Sequence, residues 1–166
     1  MPSEPLDASA FSPDTLDFLQ ALYHAEVQYL IVGGEAVIYH GYARVTGDID
    51  FFYAADDLNA QRLFAALHAF WKGPPPGVAA PAELQEPGVI VQFGVPPRRI
   101  DLINRISGVT FDDAWPERVR VEVRTPDGTI PVWYLGLDAL IRNKRASGRP
   151  KDLVDVDFLA SEDGTP

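Results

Sequence analysis

Leu16, Leu19, Leu22 and Tyr23 recur three and four residues apart after Ser12-Pro13-Asp14, a spacing that predicts an amphipathic helix to about Ala25. Ser12 can cap it, Pro13 suits its first turn, and Asp14 favours the positive helix end. Tyr29-Leu30-Ile31-Val32 is an unbroken apolar run stopped by Gly33-Gly34, which reads as a buried strand ending in a tight glycine turn. A short helix is expected from Glu35 to Tyr42. Asp48-Ile49-Asp50-Phe51-Phe52-Tyr53 alternates and then turns wholly apolar, as an internal strand does. Asp56 or Asp57 caps the following helix, with Leu63, Phe64, Leu67, Phe70 and Trp71 on its buried side.

Glycine and proline fill the first five positions of Gly73 to Pro81, so that helix cannot continue and a loop is expected. Val89 to Phe93 and Ile100 to Ile103 read as strands separated by Gly94-Val95-Pro96-Pro97. Val119 to Arg124 and Ile130 to Leu135 flank Thr125-Pro126-Asp127-Gly128-Thr129, a hairpin signal. Asp138 to Ala146 is a basic helix ended by Gly148, and Lys151 to Ala160 a last helix. The chain divides into one domain over 1–160 and a flexible polar tail over 161–166, with no internal repeat.

Length agrees with a single domain, since 166 residues suffice for one sizeable core. Apolar residues at 46% and aromatics at 11% exclude global disorder. The absence of cysteine excludes disulfides, thiolate nucleophiles and cysteine-based metal sites. His24, His40 and His68 are scattered without ligand spacing, so a bound metal would rest on carboxylates, which suit magnesium or manganese. No apolar run reaches the roughly 18–20 residues of a membrane span, and Met1-Pro2-Ser3-Glu4 lacks the start of a signal peptide. A cytoplasmic location without membrane partners is the expectation.

Net charge is −10, which argues against a surface-wide polyanion footprint. The distribution is uneven. Arg142, Lys144, Arg145, Arg149 and Lys151 fall together with no acid between them, leaving nine basic residues for the rest of the chain.

Asp48 and Asp50 are two apart, so on a strand they share a face and their carboxylates can converge on one ion. A pair of solvated acids at a strand's beginning is the competing account. Gly33-Gly34 lies fifteen residues before Asp48. A glycine pair between strand and helix lets a ligand approach the backbone, and such a turn suits phosphate. Together the two features describe a site for metal-bound polyphosphate.

Val32-Gly33-Gly34-Glu35-Ala36-Val37 followed by His40-Gly41-Tyr42-Ala43-Arg44-Val45-Thr46-Gly47-Asp48-Ile49-Asp50 resembles the signature of the minimal nucleotidyltransferases of the DNA polymerase beta superfamily. Within it the similarity points to the AbiEii-like group, which includes toxins of type IV toxin–antitoxin systems. The matching motif covers Tyr29 to Tyr53, with looser matches near Asp101 and from Leu135 to Leu159. The resemblance implies an α/β (α+β) nucleotidyltransferase fold, a mixed β-sheet flanked by helices. It also implies transfer of a nucleoside monophosphate from an NTP to a hydroxyl, with release of pyrophosphate.

By the same resemblance Gly33 and Gly34 bind nucleotide phosphates, and Asp48 and Asp50 hold Mg2+ (or Mn2+). Asp101, in Arg99-Ile100-Asp101-Leu102-Ile103, matches the third metal-binding carboxylate that many members carry. Arg44 would fork onto a phosphate or buttress a carboxylate, and Thr46 would shape the turn before the acids. Lys144 would bind the triphosphate, with Asp152 positioning it or a neighbouring base. A partly exposed Asp101, a surface salt bridge at Arg44 and a solvated helix face at Lys144 and Asp152 are the competing structural readings. His40 reads as a packing or surface residue.

The resemblance to toxins suggests an RNA acceptor such as the 3′ end of a tRNA, and an antitoxin protein as partner. The rival readings are nucleotidylation of a small molecule or a protein, a noncatalytic nucleotide- or partner-binding module of the same fold, and, more remotely, a metal-dependent nuclease.

Overall fold

In the computed structural model, which describes residues 4–42, 47–95 and 98–162, six strands form one mixed sheet in the order β3-β4-β2-β1-β6-β5. The strands are β1 (Tyr29–Val32), β2 (Asp48–Tyr53), β3 (Ile90–Phe93), β4 (Arg99–Ile103), β5 (Val119–Thr125) and β6 (Gly128–Tyr134). The helices are α1 (Pro13–His24), α2 (Gly33–Tyr39), α3 (Asp57–Trp71), α4 (Phe111–Ala114), α5 (Leu137–Ser147) and α6 (Pro150–Glu162). The architecture is the helix-flanked mixed sheet expected of a nucleotidyltransferase fold. Arg44, Thr46 and most of the 161–166 tail lie outside the described residues. Among those described, no helix is long and apolar enough to cross a membrane.

Alternation along β2 decides which side of the sheet becomes core. Ile49 and Phe51 point to the side covered by α1 and α3, where Phe18 meets Phe51, Phe70 and Phe93 edge-on at 5.3–5.5 Å. Asp48, Asp50 and Phe52 point to the other side, where Phe52 packs on Phe111 of α4. Ser12 caps α1 and Asp56 caps α3, as the sequence indicates. Asn59, buried on α3, accepts from the Gln28 amide at 2.8 Å and donates to Gln28 and Ala54 carbonyls at 3.0 and 2.7 Å, which fixes α3 beside the β1–β2 pair.

Boundaries differ from the pattern-based expectation in a few places, each for a local reason. α2 begins at Gly33 itself, because a φ of +66° at that residue turns the chain directly into the helix. It ends at Tyr39, where Gly41 at φ +113° leaves the helix and the amides of His40, Gly41 and Tyr42 close onto the last carbonyls. The proline-rich loop ends in a 3-10 turn over Pro81–Gln85, held by the Glu83 carboxylate on the Ala79 and Ala80 amides. α4 has four residues and a Thr110 cap, too short to give a periodic signal. α6 starts one residue early because Pro150 suits a first turn. His40 is half-buried, with its Nε2 against the Leu135 carbonyl at 2.8 Å, the packing role expected of it.

Candidate active site

Parallel pairing of β2 with β4 sets Asp48 beside Arg99 and Asp50 beside Asp101. All four side chains therefore share the sheet face opposite the α1–α3 core. One carboxylate oxygen from each of Asp48, Asp50 and Asp101 lies within 4.8 Å of the others. Asp101 is buried, and Asp48 and Asp50 are half-buried. Arg99 lies across the group. Its Nη2 donates to Asp48 Oδ2 at 2.5 Å and to Asp101 Oδ2 at 3.2 Å, and its Nε donates to Asp101 Oδ1 at 3.0 Å. A planar guanidinium forking onto one carboxylate while reaching a second is a strong, directional arrangement.

Asp50 is the acid this arrangement serves least. Burial first, then the charges of Asp48 and Asp101 and a hydrogen bond with Asp101, push its carboxyl up to about 7, and Arg99 offsets only part of that. Glu35, in the first turn of α2, is also raised, by burial and by Asp48. Three converging hard-oxygen donors, one of which resists ionisation, form a donor set that fits a divalent cation such as magnesium or manganese.

Gly33 meets this group from β1. Val32 pairs with Asp50 across the β1–β2 ladder, which carries the next residue over the Asp50 carboxylate. A Cβ on Gly33 would collide with that carboxylate, and its φ of +66° disfavours any side chain. Gly34 is buried in the first turn of α2.

A cavity of about 180 Å³ opens beside Gly33 and Asp50, and its far wall is Asn143, Lys144 and Ser147 of α5 with Arg149 and Asp152. The sequence-predicted Gly33, Asp50, Lys144 and Asp152 thus line one space. Lys144 is 4% exposed, and its Nζ lies 3.1 Å from Asp152 Oδ1 and 3.3 Å from Asp155 Oδ2. The lysine expected at a triphosphate is therefore held by two buried carboxylates at the cavity wall. Burial disfavours an ionised Asp152, but hydrogen bonds from Arg149, Ser147 and Lys144 outweigh it and hold the carboxyl well below its ordinary value. Arg149, on the rim, donates from Nε to Asp152 Oδ2 at 2.7 Å while staying largely exposed.

Residues 16–160 match the sequence model of a family described as "Nucleotidyltransferase of unknown function (DUF6036)". The chain belongs to that family. The family's description agrees with the nucleotidyltransferase reading of the glycine turn and the carboxylates. No curated protein matches the chain.

Three site residues escaped the sequence pattern. Arg99 was visible only as a neighbour of Asp101; an i, i+2 relation on a strand puts them on one face, but its reach to Asp48 follows from the parallel pairing. Arg149 is one of five clustered cations with nothing in sequence to single it out. Glu35 was hidden in the motif. The basic run itself is thinner than its composition: Lys144 is buried, Arg149 is engaged with Asp152, and Arg142 lies 3.8 Å from Glu117.

Proposed function

We propose that this nucleotidyltransferase transfers a nucleoside monophosphate from an NTP to a hydroxyl acceptor and releases pyrophosphate, using magnesium or manganese held by Asp48, Asp50 and Asp101. The observation that carries the reading is the convergence of these three carboxylates, with Asp50 and Gly33 lining a cavity whose wall includes Lys144 and Arg149. A bound divalent cation would neutralise charge on the phosphates and favour in-line displacement.

The chain's own residues do the positioning. Gly33 and Gly34 present backbone without side chains where the phosphates pass Asp50. Arg149 presents a largely exposed guanidinium at the rim, and Lys144 adds positive charge from the wall. Asp152 keeps both cations in place. Arg99, forked onto the buried Asp101, orients the third carboxylate. By the motif resemblance Arg44 would act on a phosphate or a carboxylate and Thr46 would shape the turn before the acids, both lying outside the described residues.

The acceptor divides the reading. The resemblance to AbiEii-like toxins favours an RNA end such as a tRNA 3′ terminus, with an antitoxin as partner. The net charge of −10 and the engagement of Lys144 and Arg149 in ion pairs favour an acceptor that needs no basic surface, a small molecule or a protein. Incubation with each α-phosphate-labelled NTP, magnesium and either total RNA or a protein and metabolite extract separates the two. Label is expected in one pool, with pyrophosphate released, and Asp50→Ala should lower the rate by roughly 10²-fold or more. Turnover that survives Asp50→Ala, or NTP binding without turnover in any extract, would defeat the proposal.

A further inference from the structure

Arg99 is bonded to carboxylates that a cation would draw on. Its guanidinium engages both oxygens of Asp101 and Oδ2 of Asp48, two of the three carboxylates that converge within 4.8 Å. A divalent ion drawing on the same oxygens and a guanidinium bound to them would stand a few ångströms apart as like charges, a costly arrangement at partial burial. One must yield.

The side chains differ in how readily they can move. Asp101 is 9% exposed at its side chain and sits mid-strand between β2 and β3, so it stays where it is. Arg99 is 32% exposed at its side chain and opens β4, so rotation of its long side chain carries the charged end to solvent without moving the backbone. Its neighbour Arg98 is exposed and lines a small cavity beside Asp48 and Glu35.

We propose that Arg99 is a positioning residue that acts as the resident counter-cation of the three-carboxylate site: it holds Asp48 and Asp101 together before loading and is displaced when a divalent cation enters. Arg99 thus orders the site for the ion while competing with it. The inference rests on the reading of Asp48, Asp50 and Asp101 as the cation site, and it deepens that reading by assigning a gatekeeper on the same sheet face.

Competition and support predict opposite signs, which makes the test decisive. Mn2+ is titrated calorimetrically into the chelator-stripped full chain as wild type, Arg99→Gln, Arg99→Lys and Arg98→Gln, and thermal unfolding is followed with and without the ion. Arg99→Gln should bind Mn2+ roughly tenfold more tightly, since a charge-assisted pair no longer has to be broken. Its stripped form should melt lower than wild type and gain more on adding Mn2+. Arg99→Lys, which keeps the charge but loses the fork, should fall between wild type and Arg99→Gln, and it carries the test if Arg99→Gln does not fold. Arg98→Gln, which removes a nearby charge that makes no bond to Asp101, should shift the affinity less than Arg99→Gln. Affinity unchanged or weakened in Arg99→Gln or Arg99→Lys, with wild type binding Mn2+, would overturn the role of Arg99 alone. Wild type that takes up no Mn2+ would overturn both this role and the cation site.

Discussion

Asp50 and Asp152 line the same cavity, yet their carboxyl groups are driven in opposite directions. Asp50 faces two other acids and is pushed up to about 7 by burial and by their charges. Asp152 is more buried, but hydrogen bonds from Arg149, Ser147 and Lys144 hold it far down. Burial alone therefore does not separate the two clusters; the charge built around each acid does. The α5–α6 cluster matches two cations to Asp152 and Asp155 and serves as an ionic joint between helices. The β2–β4 cluster gathers more negative charge than Arg99 offsets, which is the condition under which a site gains by taking up a cation.

The sharpest way to break this contrast is to strip the joint of its lysine. Lys144→Met leaves Asp152 and Asp155 buried without their shared cation and should destabilise the protein by about 3–5 kcal/mol, read as a fall in the urea midpoint. A variant of wild-type stability would show that the joint is not structural. Gly33→Ala comes next: a side chain at φ +66° costs about 1–3 kcal/mol, and the added methyl also displaces the Asp50 carboxylate. Pyrophosphate release should drop more than stability does, and equal losses would count against the close approach of Gly33 to the site.

The smallest effect is the most diagnostic of charge. Between its unfolded value near 4 and its folded value of about 7, Asp50 binds more protons folded than unfolded, so its contribution to stability falls as pH rises through that window. Asp152 does the reverse: its folded value is depressed, so the stability it contributes is present above about pH 4 and is lost as pH falls below. Thermal unfolding in chelator at pH 5 and pH 8 should show the first trend in wild type and its loss in Asp50→Asn, whose Tm at pH 8 should exceed wild type by about 2–4 °C. An Asp50→Asn protein with the wild-type slope would assign the trend to another group.

Much of the site was legible because its parts are local. Gly33-Gly34 after an apolar run, and two acids two residues apart at a strand's start, are short-range patterns whose geometry follows from strand alternation and glycine's backbone freedom. Asp101 was legible through the family resemblance, with which the cost of an acid inside an apolar strand agrees. Lys144 was legible as a position but not as an environment, since a charged residue on a basic helix reads as solvated until α6 covers it with Asp152 and Asp155. The short α4 and the Pro81–Gln85 turn lacked any period from which to be read.

The sequence by itself determined the strands and most helices, the single core and the glycine and carboxylate motif, because each depends on residues within a few turns of one another. Only the tertiary structure decided that β4 lies parallel to β2, which brings Asp101 beside Asp50 and Arg99 across to Asp48. It also decided that α5 and α6 close on Lys144, taking one cation of the run into an internal ion pair while Arg149 engages Asp152 from the rim. Both outcomes turn on which elements become neighbours, and the electrostatic character of a charged side chain is set by those neighbours rather than by its own place along the chain.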